Sequence, residues 1–110
     1  MQDRYFLILS RDPWDGAAAP RCADLARSLA GAGHPVTLFL VQNGVLGARA
    51  GAQAKALEGL GAAGVRVLAD EFSLRERGVA PARLAKQVEV APLDDAIEAL
   101  ALGARVLWHP

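Results

Sequence analysis

The sequence contains almost no cysteine and no excess of either charge. Cys22 is its single cysteine, which excludes an internal disulfide framework and a zinc site built on cysteine pairs. Twelve Lys and Arg residues balance twelve Asp and Glu residues. The chain therefore lacks the basic surface by which proteins bind nucleic acids and anionic membranes, and we expect neither as a partner.

From the sequence we also expect neither a targeting segment nor a membrane-spanning segment. Residues 1–4 lead directly into an apolar run, without the features of a secretion signal. Residues 28–48 carry no formal charge, but glycine, proline, glutamine and asparagine interrupt them too often for a transmembrane helix. We therefore expect a cytoplasmic protein.

The motifs of nucleotide and metal sites are also absent. The loop 10–16 contains one glycine and matches neither the GxGxxG fingerprint nor the P-loop. The two histidines, His34 and His109, fall at opposite ends of predicted strands, where they cannot share a metal ion. We expect neither a cofactor nor a bound metal.

What the sequence does contain is an alternation of short apolar runs and helical patterns. Five runs predict β-strands, and the first two are almost continuously apolar, as strands of a parallel sheet are when both faces are covered. The predicted strands are 5–9, 36–41, 65–69, 88–90 and 105–108. This order predicts one domain, 1–110, with an α/β fold: a three-layer α/β/α sandwich with a five-stranded, mainly parallel sheet.

Apolar residues at helical spacing lie between these strands, and glycines follow them. The predicted helical segments are 20–29, 50–57, 72–77, 81–86 and 93–100. The crossover formed by 72–77 and 81–86 is thin and has few large apolar residues. We expect it to leave apolar surface that a second chain covers, with Glu71–Val90 at or beside the interface.

Polar side chains follow the carboxyl ends of several predicted strands, where open α/β sheets bind their ligands. The candidate crevice residues are Asp12, Gln42, Asn43, Asp70, Glu71, Ser73 and Arg77. Loops are polar in proteins without a site too, so both interpretations stay open.

Cys22 also has two interpretations. Near the start of the first helix, its thiol would gain thiolate character and become reactive. Alternatively, it shares an apolar stripe with Leu25, Ala26 and Leu29 and packs as a small buried hydrophobe. We expect the second.

Three segments taken together resemble one protein family. They are 33–40 with 42–45, then 64–79 with its Arg77-Gly78 pair, and the ending 102–108. In this order they resemble the DsrE/DsrF/DsrH-like family, which includes the Tus-type sulfur-relay subunits. The resemblance implies a five-stranded parallel sheet and a homo-oligomer, a trimer or a hexamer.

In sulfur-relay members of that family, a cysteine at the end of the third strand carries sulfur as a persulfide. Counting back from Arg77-Gly78, the carrier position falls on Asp70, and a carboxylate cannot hold a persulfide. The resemblance therefore implies a subunit that is not the sulfur carrier, in a homo-oligomer or with cysteine-bearing homologues, or a homologue that binds a small ligand. Asp70 is equally well explained as the N-cap of the 72–77 turn, with Arg77 as its salt partner.

Two other functions stay open beside this leading one. The first is an enzyme that uses the strand-end carboxylates Asp12, Asp70 and Glu71 on a small substrate. The second is a purely structural homo-oligomer. The sequence alone names neither a ligand nor a catalytic residue.

Overall fold

The computed structural model describes residues 3–12, 16–51 and 54–109. The five strands are β1 (Tyr5–Leu9), β2 (Val36–Leu40), β3 (Val65–Asp70), β4 (Val88–Ala91) and β5 (Arg105–His109). The helices are α1 (Ala18–Gly31), α2 (Ala54–Ala62), α3 (Glu71–Glu76) and α4 (Asp94–Ala101), with 3-10 helices at Gln42–Ala48 and Pro81–Arg83.

The strands form one sheet in the order β4-β3-β2-β1-β5, and every neighbouring pair is parallel. The chain thus moves outwards from β1 to β4 and then returns to the opposite side of β1. The predicted α/β fold with a five-stranded parallel sheet is confirmed, and each predicted strand lies within one residue of its observed ends.

The apolar runs that predicted the strands fill a core on each face of the sheet. On one face, Leu7 and Leu38 pack with Cys22 of α1 and Leu60 of α2. On the other face, the side chains that alternate with these pack around Phe39, which is fully buried. That second core is closed by Ala96 of α4.

Two helical predictions need correction. The second helix begins at Ala54 rather than at residue 50, because the chain first forms the 3-10 helix Gln42–Ala48. That turn passes directly over the end of β1, where a Cβ on Gly44 would clash with the carbonyl oxygen of Leu9. Of the predicted 81–86 helix only Pro81–Arg83 is helical, since Leu84 is extended and bridges to Arg49.

The thin layer of the sandwich is α4, rather than the crossover after β3. That crossover buries Leu74 and Val79 in the core. The eight-residue helix α4 instead exposes Ile97 and Leu100, and Leu93, which precedes it, is exposed as well. Most of the exposed large apolar side chains lie after Glu71–Val90, although the expectation that this region borders a subunit interface stays a prediction. Phe72 and Val90 are the large apolar side chains exposed in that region.

No helix in the described ranges is both long enough and apolar enough to cross a membrane.

Candidate functional site

A groove opens at the carboxyl ends of the strands, on the sheet face that α4 covers. It has a volume of about 730 Å³. Its polar lining is Gln42, Asn43, Asp70, Ser73, Glu76 and Arg77. Its apolar lining is Ile8, Val41, Phe72, Leu93 and Trp108. Five of the seven residues predicted for the crevice are therefore brought together here.

Asp70 ends β3 and closes the inner wall of the groove. It lies on the same sheet face as Leu68, and only 6% of its surface is exposed. Its Oδ2 accepts hydrogen bonds from the Ser73 N–H at 3.0 Å and from the Ser73 hydroxyl at 2.6 Å. Asp70 is thus the N-cap of α3, which confirms that part of its predicted role.

Ser73 connects this cap to the end of the neighbouring strand. Its hydroxyl oxygen accepts the backbone N–H of Gln42 at 2.8 Å. Gln42 has a φ of 50°, in the left-handed region that costs a residue with a Cβ free energy. The hydrogen bond from its N–H compensates for part of that cost and fixes the start of the Gln42–Ala48 turn.

Arg77 crosses from the end of α3 to the same turn. Its Nε donates to Oδ1 of Asn43 at 3.0 Å, and its Nη1 lies 3.4 Å from the carbonyl oxygen of Ser73. The predicted salt bridge between Arg77 and Asp70 is wrong. The Asp70 carboxylate turns towards the amides that open α3, while Arg77 leaves the opposite end of that helix.

Asp12 and Glu71 do not line the groove. The chain beyond Asp12 continues to α1, which packs on the other face of the sheet. The Glu71 side chain is exposed and faces Arg75, 4.0 Å away, one turn further along α3. The three strand-end carboxylates of the enzyme hypothesis are therefore not gathered in one cavity.

Cys22 lies on the opposite side of the sheet from the groove. It is fully buried in the core against α2 and the strands, so the expectation that it packs as a hydrophobe is confirmed. Desolvation by burial raises the pKa of its thiol from 9.0 to about 11. The thiol is thus inert near neutral pH. Across the described residues, no three His, Cys, Asp or Glu side chains are grouped closely enough to hold a metal ion.

The apolar half of the groove was not predicted from the sequence. Trp108 joins it because β5 pairs with β1, which places Trp108 beside Ile8. Phe72 lies between Asp70 and Ser73, the two residues of the α3 cap, and is exposed. Aromatic residues next to polar strand ends were the available signal.

A model of the DsrE/DsrF-like family matches residues 3–109, which is nearly the whole chain. The chain belongs to the DsrE/DsrF-like family. No curated protein is similar enough in sequence to count as a relative.

Three solved structures share the fold of this DsrE-like chain. The ychN protein from E. coli has a TM-score of 0.87 at 23% identity, covering 98% of this chain and 99% of that one. MTH1491 from Methanobacterium thermoautotrophicum, a protein of unknown function, has a TM-score of 0.83 at 18% identity, with the same coverage of both chains. BT1422 from Bacteroides thetaiotaomicron, a conserved protein of unknown function, has a TM-score of 0.75 at 17% identity. The match covers 94% of this chain and 93% of that one.

Proposed function

We propose that this DsrE-like chain is a non-carrier counterpart of the sulfur-relay subunits. It acts as a structural or regulatory subunit of an oligomer, and its Asp70 groove holds a small ligand instead of a sulfur atom. One observation carries the proposal. Asp70, at the position where the family resemblance places a carrier cysteine, is a buried carboxylate fixed by Ser73 in the wall of a groove.

Cys22 does not replace the missing thiol. Sulfur transfer requires a thiolate that can reach the donor. Cys22 is fully buried on the other face of the sheet, and its pKa is raised to about 11. A donor molecule would have to open the core to reach it.

A sulfur-acceptance experiment tests the proposal. The chain is incubated with a small persulfide donor, and its intact mass is measured. We expect no added sulfur on the natural chain. A gain of one sulfur atom on Cys22 would refute the non-carrier role.

A matched variant shows that the assay detects acceptance at the family position. Cys22→Ala combined with Asp70→Cys leaves one thiol, at the end of β3. Its thiolate would attack the outer sulfur of the donor persulfide, forming a protein persulfide and releasing the donor thiol. We expect this variant to gain one sulfur atom.

Assembly belongs to the same proposal. The outer face of α4 presents Ile97 and Leu100 to solvent, and neighbouring copies would bury them. Such an apolar patch is typical of an interface. The family resemblance favours a closed trimer or hexamer, alone or with cysteine-bearing homologues. The cytoplasmic location expected from the sequence stays a prediction.

The enzyme hypothesis has less support, because Asp12 and Glu71 lie outside the groove lined by Asp70. The purely structural alternative predicts an empty groove, which the ligand measurements below distinguish.

A further inference from the structure

One oxygen of the buried Asp70 carboxylate has no hydrogen-bond partner among the described residues. Both bonds from Ser73 end on Oδ2, and Oδ1 takes part in neither. In the part of the chain that the structure describes, every side-chain oxygen or nitrogen atom that is fully buried has a hydrogen-bond partner. Oδ1 therefore reaches the groove that Asp70 lines. A carboxylate oxygen accepts up to two hydrogen bonds, so the groove presents an acceptor without a donor.

Two exposed aromatic rings stand at the mouth of the same groove. Phe72 on α3 is 61% exposed and Trp108 on β5 is 55% exposed. Ring contacts between described residues join Tyr5 to His34 and Phe6 to Phe39. Phe72 and Trp108 thus do not stack on each other or on those rings. Both rings are therefore available for contact with a ligand in the groove.

The charges of the groove favour a cation over an anion. Asp70 and Glu76 contribute two carboxylates and Arg77 one guanidinium. Arg77 is tied through Nε to the Asn43 side chain, and Glu76 forms no ion pair with a described residue. An anion would be repelled by the partly unsatisfied Asp70 carboxylate, whereas a cationic donor would complete its hydrogen bonding.

We propose that the groove binds a planar organic monocation that carries N–H donors, such as an aromatic amidinium or a protonated heterocyclic amine. An N–H of the ligand donates to Oδ1 of Asp70, and its ring lies against Phe72 and Trp108. Charge-assisted hydrogen bonding and cation–π attraction both select the cation. A volume of about 730 Å³ is within the range of small-molecule sites. This inference rests on the proposed function, in which the groove holds a ligand instead of sulfur.

Three probes of nearly the same shape test the class of ligand. Benzamidine is a planar cation, benzamide is neutral and benzoate is an anion. Each is titrated into the intact natural chain, and binding is followed by NMR chemical shifts of the Trp108 indole and of the Asn43 side-chain amide. We expect saturable binding of benzamidine, with benzamide and benzoate at least about tenfold weaker because they lack the charge-assisted donor.

The variant Asp70→Asn tests the role of Oδ1. Asparagine keeps one oxygen to cap α3, so the fold is retained, but its amide N–H₂ faces the groove in place of Oδ1. We expect the affinity for benzamidine to fall about tenfold or more. Glu71→Gln is the matched control, because it removes a carboxylate from the adjacent residue, which lies outside the groove. We expect it to bind benzamidine almost as the natural chain does.

The inference is overturned if benzamidine does not bind, if benzoate binds as tightly, or if Asp70→Asn and Glu71→Gln have the same effect. None of these results would show that the chain accepts sulfur, because the mass measurement tests that question separately. Conversely, sulfur on Cys22 would refute the non-carrier role whatever the probes show.

Discussion

The hydroxyl of Ser73 donates to Oδ2 of Asp70 at 2.6 Å and at the same time accepts the backbone N–H of Gln42 at 2.8 Å. This one side chain therefore joins the end of β3, the start of α3 and the turn that follows β2. The groove wall is a connected unit, because removing either the carboxylate or the hydroxyl leaves a buried polar group without its partner.

We predict that Asp70→Ala destabilises the chain by about 1 kcal/mol or somewhat more, since the α3 cap is lost and the Ser73 hydroxyl loses its acceptor. Asp70→Asn keeps a capping oxygen, and we expect a much smaller change. The free energy of unfolding in urea measures both variants. Equal losses for alanine and asparagine would contradict the capping role.

Gly44→Ala should cost about 1–3 kcal/mol, because the new Cβ would press on the Leu9 carbonyl and push the Gln42–Ala48 turn away from β1. Gly59→Ala is the control. Its Cβ would meet Arg27 at an ordinary 3.6 Å inside α2, so alanine should stabilise the helix by about 0.5–1 kcal/mol. Thermal unfolding of the two variants should move in opposite directions, and a shared direction would argue against the close approach.

The natural chain should elute as a trimer or hexamer when light scattering is coupled to gel filtration. Ile97→Lys places a charge in the exposed apolar face of α4, and we expect it to dissociate the assembly while the circular dichroism of the fold remains. Glu98→Lys adds a lysine to the same helix but outside that apolar face, and we expect the mass of the assembly to stay the same. A monomeric natural chain would rule out the proposed interface.

Cys22 makes stability depend on alkaline pH. The folded thiol has a raised pKa of about 11 against an ordinary 9.0, so the folded state holds its proton more tightly than the unfolded state does. The protonated thiol therefore contributes fully to the free energy of unfolding below about pH 9. This contribution is lost as the pH rises towards about 11, and its upper limit is about 3 kcal/mol. Urea unfolding at several pH values measures it. In Cys22→Ala this part of the pH dependence should disappear, and identical curves would contradict the assignment.

The sequence predicted the sheet well because its signal is local. The nearly continuous apolar run Tyr5–Leu9 has to be covered on both faces, and that alone favours a parallel sheet. Asp70 was likewise found at its strand end by position in the chain. The predicted salt bridge of Arg77 with Asp70 was wrong because the actual partner, Asn43, is distant in sequence. Asn43 approaches Arg77 only when β2 and β3 pair.

The apolar half of the groove depends on strand order, which the sequence does not specify locally. Trp108 is beside Ile8 only because β5 returns to the free side of β1. Because of the same return, α4 is the helix that packs into the core around Phe39, and neither fact follows from spacing or composition.

Because the α4 layer is short, the two sides of the groove differ in local stability. The wall that carries Asp70 belongs to β3, an interior strand, whereas Trp108 belongs to the edge strand β5 and Leu93 caps the helix α4 that precedes that strand. Elements with few buried contacts open first in hydrogen exchange. The amides of β5 and α4 should therefore exchange well before those of β3, and a bound ligand would slow exchange mainly in β5, at a distance from the carboxylate that anchors it.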